Sequence, residues 1–122
     1  GNAMIATLLV AFVAALHVYI VLLEMLWWER PRTRKIFGIS ADLAAKTRVM
    51  AANQGLYNGF LAAGLVWSLW SGLAVEGREV AAFFLLCVVV AGVYGAMTVN
   101  RRILLVQALP AGLALAALVV GI

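Results

Sequence analysis

Four long apolar stretches dominate this chain of 122 residues, and they constrain its fold more than any other feature. They cover about residues 5–28, 49–75, 80–99 and 103–121. As α-helices, stretches of this length can cross the roughly 30 Å hydrocarbon core of a bilayer. Only 11% of the residues are charged, whereas a soluble domain carries about a quarter. The sequence therefore predicts an all-α fold, a four-transmembrane-helix antiparallel bundle.

These spans leave little of the chain for any other structure, so residues 4–122 are predicted to form a single four-helix transmembrane domain. Residues 1–3, which precede Met4, are typical of a tag remnant and are excluded. Pro31 is expected to end the first span, and Ser40 to cap a helix that begins near Ala41. Pro110 is expected to kink the fourth span.

Basic residues are unevenly distributed over the predicted loops, and this bias predicts an orientation. Eight lie in or beside the first loop and the third turn: Arg30, Arg32, Arg34, Lys35, Lys46, Arg48, Arg101 and Arg102. The second turn has only Arg78. Because cytoplasmic loops carry the excess of Lys and Arg, the N-terminus and C-terminus are both predicted outside. Basic residues confined to short loops indicate membrane lipid as a partner and no nucleic acid.

Glu24 is an ionisable residue inside the first apolar stretch. At the centre of a bilayer such a residue costs about 2.5–3.5 kcal/mol, and it is a functional-site candidate by default. His17, the single histidine, lies almost two helical turns earlier and shares its face. Two alternatives stay open: an ion pair of Glu24 with Arg30 or Arg48, and a hydrogen-bonded packing role for His17.

The predicted topology brings polar residues of all four spans to a similar depth near the cytoplasmic side. Besides Glu24, they are Asn53, Gln54, Tyr57 and Asn58 on the second span, Tyr94 on the third and Gln107 on the fourth. Hydrocarbon cannot satisfy such groups, so they should face the bundle interior, a partner subunit or a wet cavity. Asn53 and Tyr57 share a helix face roughly opposite Gly55 and Gly59, whose small size permits close helix approach.

We therefore predict a polar, cytosol-facing pocket within the membrane for an amphipathic or anionic small molecule. The candidate catalytic residues are Glu24, as an acid or base, and Tyr94, whose hydroxyl could stabilise a thiolate or oxyanion. The candidate ligand-binding residues are His17, Arg48, Asn53, Gln54, Tyr57, Asn58, Gln107, Arg101 and Arg102. With one histidine and one cysteine, Cys87, no metal site and no disulfide are predicted, and the cofactor is unknown.

Three segments resemble a bacterial family of small membrane proteins, the domain of unknown function numbered 1304. They are HVYIVLLEMLWWERPRTRKIF from His17, NQGLYNGFLAAGLVW from Asn53, and QALPA from Gln107. The resemblance covers nearly the whole chain after residue 3. It implies a multi-pass protein of the bacterial cytoplasmic (inner) membrane, and it brings no established activity.

A weaker likeness is to the membrane-associated eicosanoid and glutathione metabolism family (MAPEG). Arg48, Asn53 and Tyr57 resemble the Arg, Asn and Tyr of its second span, and Tyr94 resembles a tyrosine of its third span. Leu56 stands where that family carries Glu. The likeness implies four-span subunits with both termini outside and a cytosol-facing site between subunits.

Two other functions compete with a binding or enzymatic pocket, and whether the protein is an enzyme stays open. A small proton-coupled exporter would use Glu24, although the strong charge bias argues against dual topology. A non-catalytic assembly protein would use the polar residues as interhelical hydrogen-bond glue. In each case we expect a homo-oligomer, because four spans of this length bury little surface alone.

Overall fold

The computed structural model describes residues 1–122, and its regular structure is entirely helical, which confirms the predicted all-α class. The helices are α1 (Met4–Met25), α2 (Pro31–Phe37), α3 (Ala41–Ser71), α4 (Gly77–Thr98) and α5 (Leu109–Val120), with a π-helical segment, Leu104–Ala108, directly before α5. Two of them, α1 and α4, are long and apolar enough to cross a membrane. The four-span bundle and the outside position of both termini remain predictions.

The break between α1 and α2 comes three residues earlier than the apolar pattern suggests. The helix α1 ends at Met25, and a turn precedes Pro31, the first residue of α2. Arg30 is extended, with ψ of 145°, because a following proline disfavours the helical region. The apolar pattern extends to residue 28 because Trp27 and Trp28 are apolar, although both lie in the turn and not in the helix.

Local capping separates α2 from α3. Gly38 ends α2 with φ of 68°, a left-handed conformation that glycine adopts without a steric cost. The backbone N–H of Leu43 then donates to Oγ of Ser40 at 3.1 Å, which satisfies one of the open donors of the first turn of α3. This hydrogen bond confirms the predicted cap and the helix start at Ala41.

The chain divides into two compact units. Residues 16–60 form one, here called the loop unit, and residues 1–15 with residues 61–122 form the other, the terminal unit. The terminal unit contains the buried apolar core, whose largest fully buried side chains are Leu65, Leu85, Val10, Val13 and Val88. Within it, the N–H of Ile5 donates to the carbonyl of Ile122 at 2.7 Å, so the start of α1 contacts the end of the chain.

Two glycines set the helix contacts of the terminal unit. A Cβ on Gly77 would collide with the carbonyl of Ser68, and the N–H of Gly77 donates to the Gly72 carbonyl at 2.9 Å. A Cβ on Gly92 would lie 2.7 Å from the backbone nitrogen of Ala108, so α4 approaches the π-helical segment at backbone distance. The π-helical segment lies just before Pro110, where the sequence predicts a kink. In a regular α-helix the ring of Pro110 would clash with a carbonyl one turn earlier, and proline has no N–H to donate.

Candidate functional site

The loop unit contains a hydrogen-bonded pair of buried polar side chains, Glu24 on α1 and Asn58 on α3. The Asn58 Nδ2 group donates to Oε1 of Glu24 at 2.6 Å. Glu24 is 7% exposed and Asn58 6% exposed. A buried carboxyl group needs hydrogen-bond partners, and the amide supplies one across 34 residues of sequence. The alternative ion pair with Arg30 or Arg48 is thus wrong, since Glu24 meets an amide instead.

Small residues on α3 allow this contact. A Cβ on Gly55 would lie only 3.0 Å from Cβ of Glu24, and one on Gly59 would lie 3.8 Å from a methyl carbon of Val21. Gly55 thus faces Glu24, and Gly59, one turn later on α3, faces Val21, which is earlier on α1. The two helices are therefore antiparallel within the loop unit. The predicted close approach at Gly55 is confirmed, and it is what brings Asn58 within reach of Glu24.

The four polar residues of α3 do not act as one group. Asn58 is buried beside the glycines, whereas Asn53 and Gln54 are exposed and Tyr57 is 59% exposed. The Nδ2 group of Asn53 donates to the Val49 carbonyl of its own helix at 2.9 Å. Five residues correspond to about 140° of helical rotation, which places Asn53 and Asn58 on different sides of α3.

His17 is fully buried on α1. No buried side-chain nitrogen or oxygen in the structure lacks a hydrogen-bond partner. This agrees with the packing alternative for His17, and its role in binding a ligand stays a prediction.

An open cavity lies at the turn that follows α1, and Arg48 is part of it. Its volume is about 400 Å³, and its lining is Met25, Leu26, Trp27, Trp28, Glu29, Arg30, Pro31 and Arg48. The sequence predicts an anion-attracting role for Arg48 but not its place beside Arg30 and two indole rings. The signal that could have indicated it is the pair of tryptophans with a basic residue two positions later, at the end of an apolar stretch.

The remaining candidates belong to the terminal unit. Tyr94 is 69% exposed on α4, and its carbonyl accepts a hydrogen bond from the Thr98 hydroxyl at 2.7 Å. Arg101 and Arg102 are exposed in the turn after α4, and Gln107 is half-buried in the π-helical segment. The sequence-predicted layer that would join these residues to Glu24 stays a prediction.

The arrangement around Glu24 suits proton exchange or hydrogen bonding with a polar group. No group of three His, Cys, Asp or Glu side chains is placed to hold a metal ion. A carboxyl group can give or take a proton when a ligand atom comes within hydrogen-bond distance. The amide of Asn58 fixes the orientation of that carboxyl group.

Comparison with known proteins gives two matches and one negative result. The chain is 29% identical over 118 residues to the uncharacterised protein YpaA of Lactococcus lactis subsp. lactis (strain IL1403), which covers 94% of this chain and 95% of that protein. No solved structure gives a significant match. The model of a family described as protein of unknown function (DUF1304) matches residues 11–119. The chain therefore belongs to the DUF1304 family.

Proposed function

We propose that this protein is a multi-pass protein of the bacterial cytoplasmic membrane that binds or modifies an amphipathic small molecule or lipid. The observation that carries the proposal is the buried pair of Glu24 and Asn58 within an otherwise apolar segment. Keeping a carboxyl group there costs free energy, and an apolar pair of similar volume would avoid that cost. An ionisable residue within a membrane span is therefore a functional-site candidate by default.

Several features support the membrane location. The helices α1 and α4 have the length and composition of spans, and the residues between 104 and 120 form a shorter apolar helix. Four antiparallel spans put both termini on one side, and the contact between Ile5 and Ile122 agrees with this arrangement. The basic residues of the first loop and the third turn favour the cytoplasm for those segments and the outside for the termini.

In this proposal each part of the site has its own role. Glu24 hydrogen-bonds the polar head of the ligand or exchanges a proton with it, and Asn58 orients the carboxyl group. The exposed side of α3, with Asn53, Gln54 and Tyr57, faces away from Glu24 and would contact a second subunit rather than the ligand. The apolar part of the ligand remains in lipid.

A ligand screen on the purified protein in detergent tests the proposal. Glutathione, quinones and phospholipids are added singly, and the thermal unfolding midpoint is recorded. A ligand present at a hundred times its Kd stabilises the folded state by about 2.7 kcal/mol, so a binder raises the midpoint measurably. We expect Glu24→Gln to abolish the rise, and the matched exposed variant Glu79→Gln to keep it. The proposal would be contradicted if no compound stabilises the protein, or if every compound that does so keeps its effect in Glu24→Gln.

The exposed polar side of α3 favours a second candidate, a non-catalytic assembly protein. Amide and phenol groups at membrane depth need partners, and a second copy of the chain can supply them. In that case Gln54→Leu weakens the homo-oligomer, measured by crosslinking in membranes, and Glu24→Gln has no phenotype in cells. A loss-of-function phenotype of Glu24→Gln in cells would exclude the assembly role as the whole function.

A further inference from the structure

The cavity at the turn after α1 differs in chemistry from the surroundings of Glu24. Two guanidinium groups, Arg30 and Arg48, line it together with two indole rings, and Met25 and Leu26 add apolar surface. Its volume of about 400 Å³ falls within the range of small-molecule sites. We propose that this cavity binds the phosphate headgroup of an acidic phospholipid.

Charge complementarity selects an anionic occupant. Residues 29–48 contain six of the nine basic residues of the chain and two acidic ones. One of these acids, Asp42, is paired with Lys46 at 3.0 Å, which removes one charge of each sign. The other, Glu29, lines the cavity, so the lining has two positive groups and one negative. The cavity and its surroundings therefore keep a positive balance that attracts a phosphate.

The structure holds the cavity wall in place through several side-chain contacts. The guanidinium of Arg30 lies over the Trp27 ring, 4.9 Å from its centroid, which leaves the N–H groups at its edge for a phosphate. The Trp28 Nε1–H donates to Oγ1 of Thr47 at 3.1 Å, one residue before Arg48. The Trp28 ring also packs on Phe37, with centroids 4.8 Å apart. These contacts hold the Trp28 ring between Thr47 and Phe37, and they place the Arg30 guanidinium on Trp27 before any ligand arrives.

The apolar part of the same segment favours a lipid over a free phosphate. Leu26 is 70% exposed, and Met25, Ile36 and Phe37 are exposed as well. Exposed apolar side chains next to tryptophans and arginines are typical of the membrane–water interface, where headgroups lie. A phospholipid satisfies both parts, since its phosphate meets the arginines and its acyl chains cover the apolar side chains.

This inference rests on the proposed membrane location but not on a ligand at Glu24. Native mass spectrometry of the purified protein in neutral detergent measures the affinity for phosphatidylglycerol and for phosphatidylcholine with the same acyl chains. Both lipids carry the phosphate, but the choline cation of phosphatidylcholine would meet two positively charged arginines. We therefore expect phosphatidylglycerol to bind about tenfold more tightly. Equal affinities for the two lipids would overturn the inference, and this comparison needs no variant.

Matched double variants locate the site. Arg30→Gln with Arg48→Gln should lower the affinity for phosphatidylglycerol about tenfold, by the loss of the two phosphate contacts. The control, Arg32→Gln with Lys35→Gln, removes the same charge from the same loop outside the cavity lining. It should change the affinity less than about twofold, since exposed charges are screened by salt. Equal losses in both double variants would mean diffuse attraction to headgroups, and would overturn the site.

Two further experiments distinguish a lipid from free phosphate, and this site from the proposed site at Glu24. Inorganic phosphate at the same concentration should not displace phosphatidylglycerol, and efficient displacement would overturn the assignment to a lipid. Glu24→Gln should keep phosphatidylglycerol bound, because Glu24 does not line the cavity. Loss of phosphatidylglycerol in Glu24→Gln would contradict a separate headgroup site, whereas failure of the ligand screen alone would leave this site intact.

Discussion

At the scale of single residues, the protein is defined by one buried polar contact. The amide of Asn58 satisfies a carboxyl oxygen of Glu24, and both side chains are removed from solvent. A buried acceptor that loses its donor keeps the full cost of its desolvation. When both partners are replaced by apolar groups, the desolvation cost and the hydrogen-bond energy disappear together. The importance of this contact can therefore be measured by changing one partner and then both.

Asn58→Leu should lower the free energy of unfolding by about 1–2 kcal/mol, because it leaves the carboxyl group of Glu24 without this donor. The double variant Glu24→Met, Asn58→Leu should recover most of the loss, since neither polar group remains. Unfolding in mixed detergent, followed by circular dichroism, measures both. If Asn58→Leu is as stable as the wild type, the hydrogen bond contributes nothing and the pair has no special status.

At the scale of helices, the contact between α1 and α3 depends on the small residues of α3. Gly55 lies closer to α1 than Gly59 does, although both belong to the same stripe of small residues. The sequence predicts this stripe from spacing alone, but spacing treats its members as equal. The distances show that the contact requires a glycine at position 55, whereas position 59 has room for a methyl group.

Gly55→Ala should destabilise the protein by about 1–3 kcal/mol, because the added methyl group meets Glu24 and Met25 and forces the helices apart. Gly59→Ala is the matched control, since its methyl group would make an ordinary contact with Val21 and would raise helix propensity. Thermal melts of the two variants side by side check this. A smaller loss in Gly55→Ala than in Gly59→Ala would contradict the packing described here.

At the scale of the whole molecule, the charge bias of the loops predicts one orientation in the membrane. The bias predicts the cytoplasmic side for the turn after α1 with α2, and the outer side for the turn between α3 and α4. Labels at Gly38 or Gly77 would disturb the structure, because Gly38 has a positive φ and Gly77 packs on the Ser68 carbonyl. Lys35 and Val75 are exposed and serve instead.

Single cysteines at these two positions, in a Cys87→Ala background, should react with a membrane-impermeant thiol reagent from opposite sides. Lys35→Cys is expected to be labelled only after the cytoplasmic face is opened, and Val75→Cys in intact spheroplasts. Gel shifts after labelling measure the fractions. Labelling of each site from both sides would show dual topology, and would favour the exporter over a pocket open to one compartment.

Much of the fold could be predicted from the sequence because its signals are local. Helicity follows from the long apolar stretches, and the Ser40 cap marks where α3 begins. Pro31 is expected to end the first span, but it is instead the first residue of the short helix α2, which the sequence does not predict. The end of α1 was misplaced by three residues because tryptophan suits both a helix and an interfacial turn. The π-helical geometry of residues 104–108 was not predicted, because it arises where α4 and the proline-bearing helix meet at backbone distance.

By itself, the sequence determined the all-α class, the start of α3 at Ala41 and the presence of a costly acidic residue in the first apolar stretch. Only the tertiary structure decided the partner of Glu24. Helical periodicity places Asn53, Gln54, Tyr57 and Asn58 around α3, but it does not say which side meets another helix. That choice depends on how closely two backbones approach, and the glycine at position 55 lets α1 come near enough for Asn58 alone.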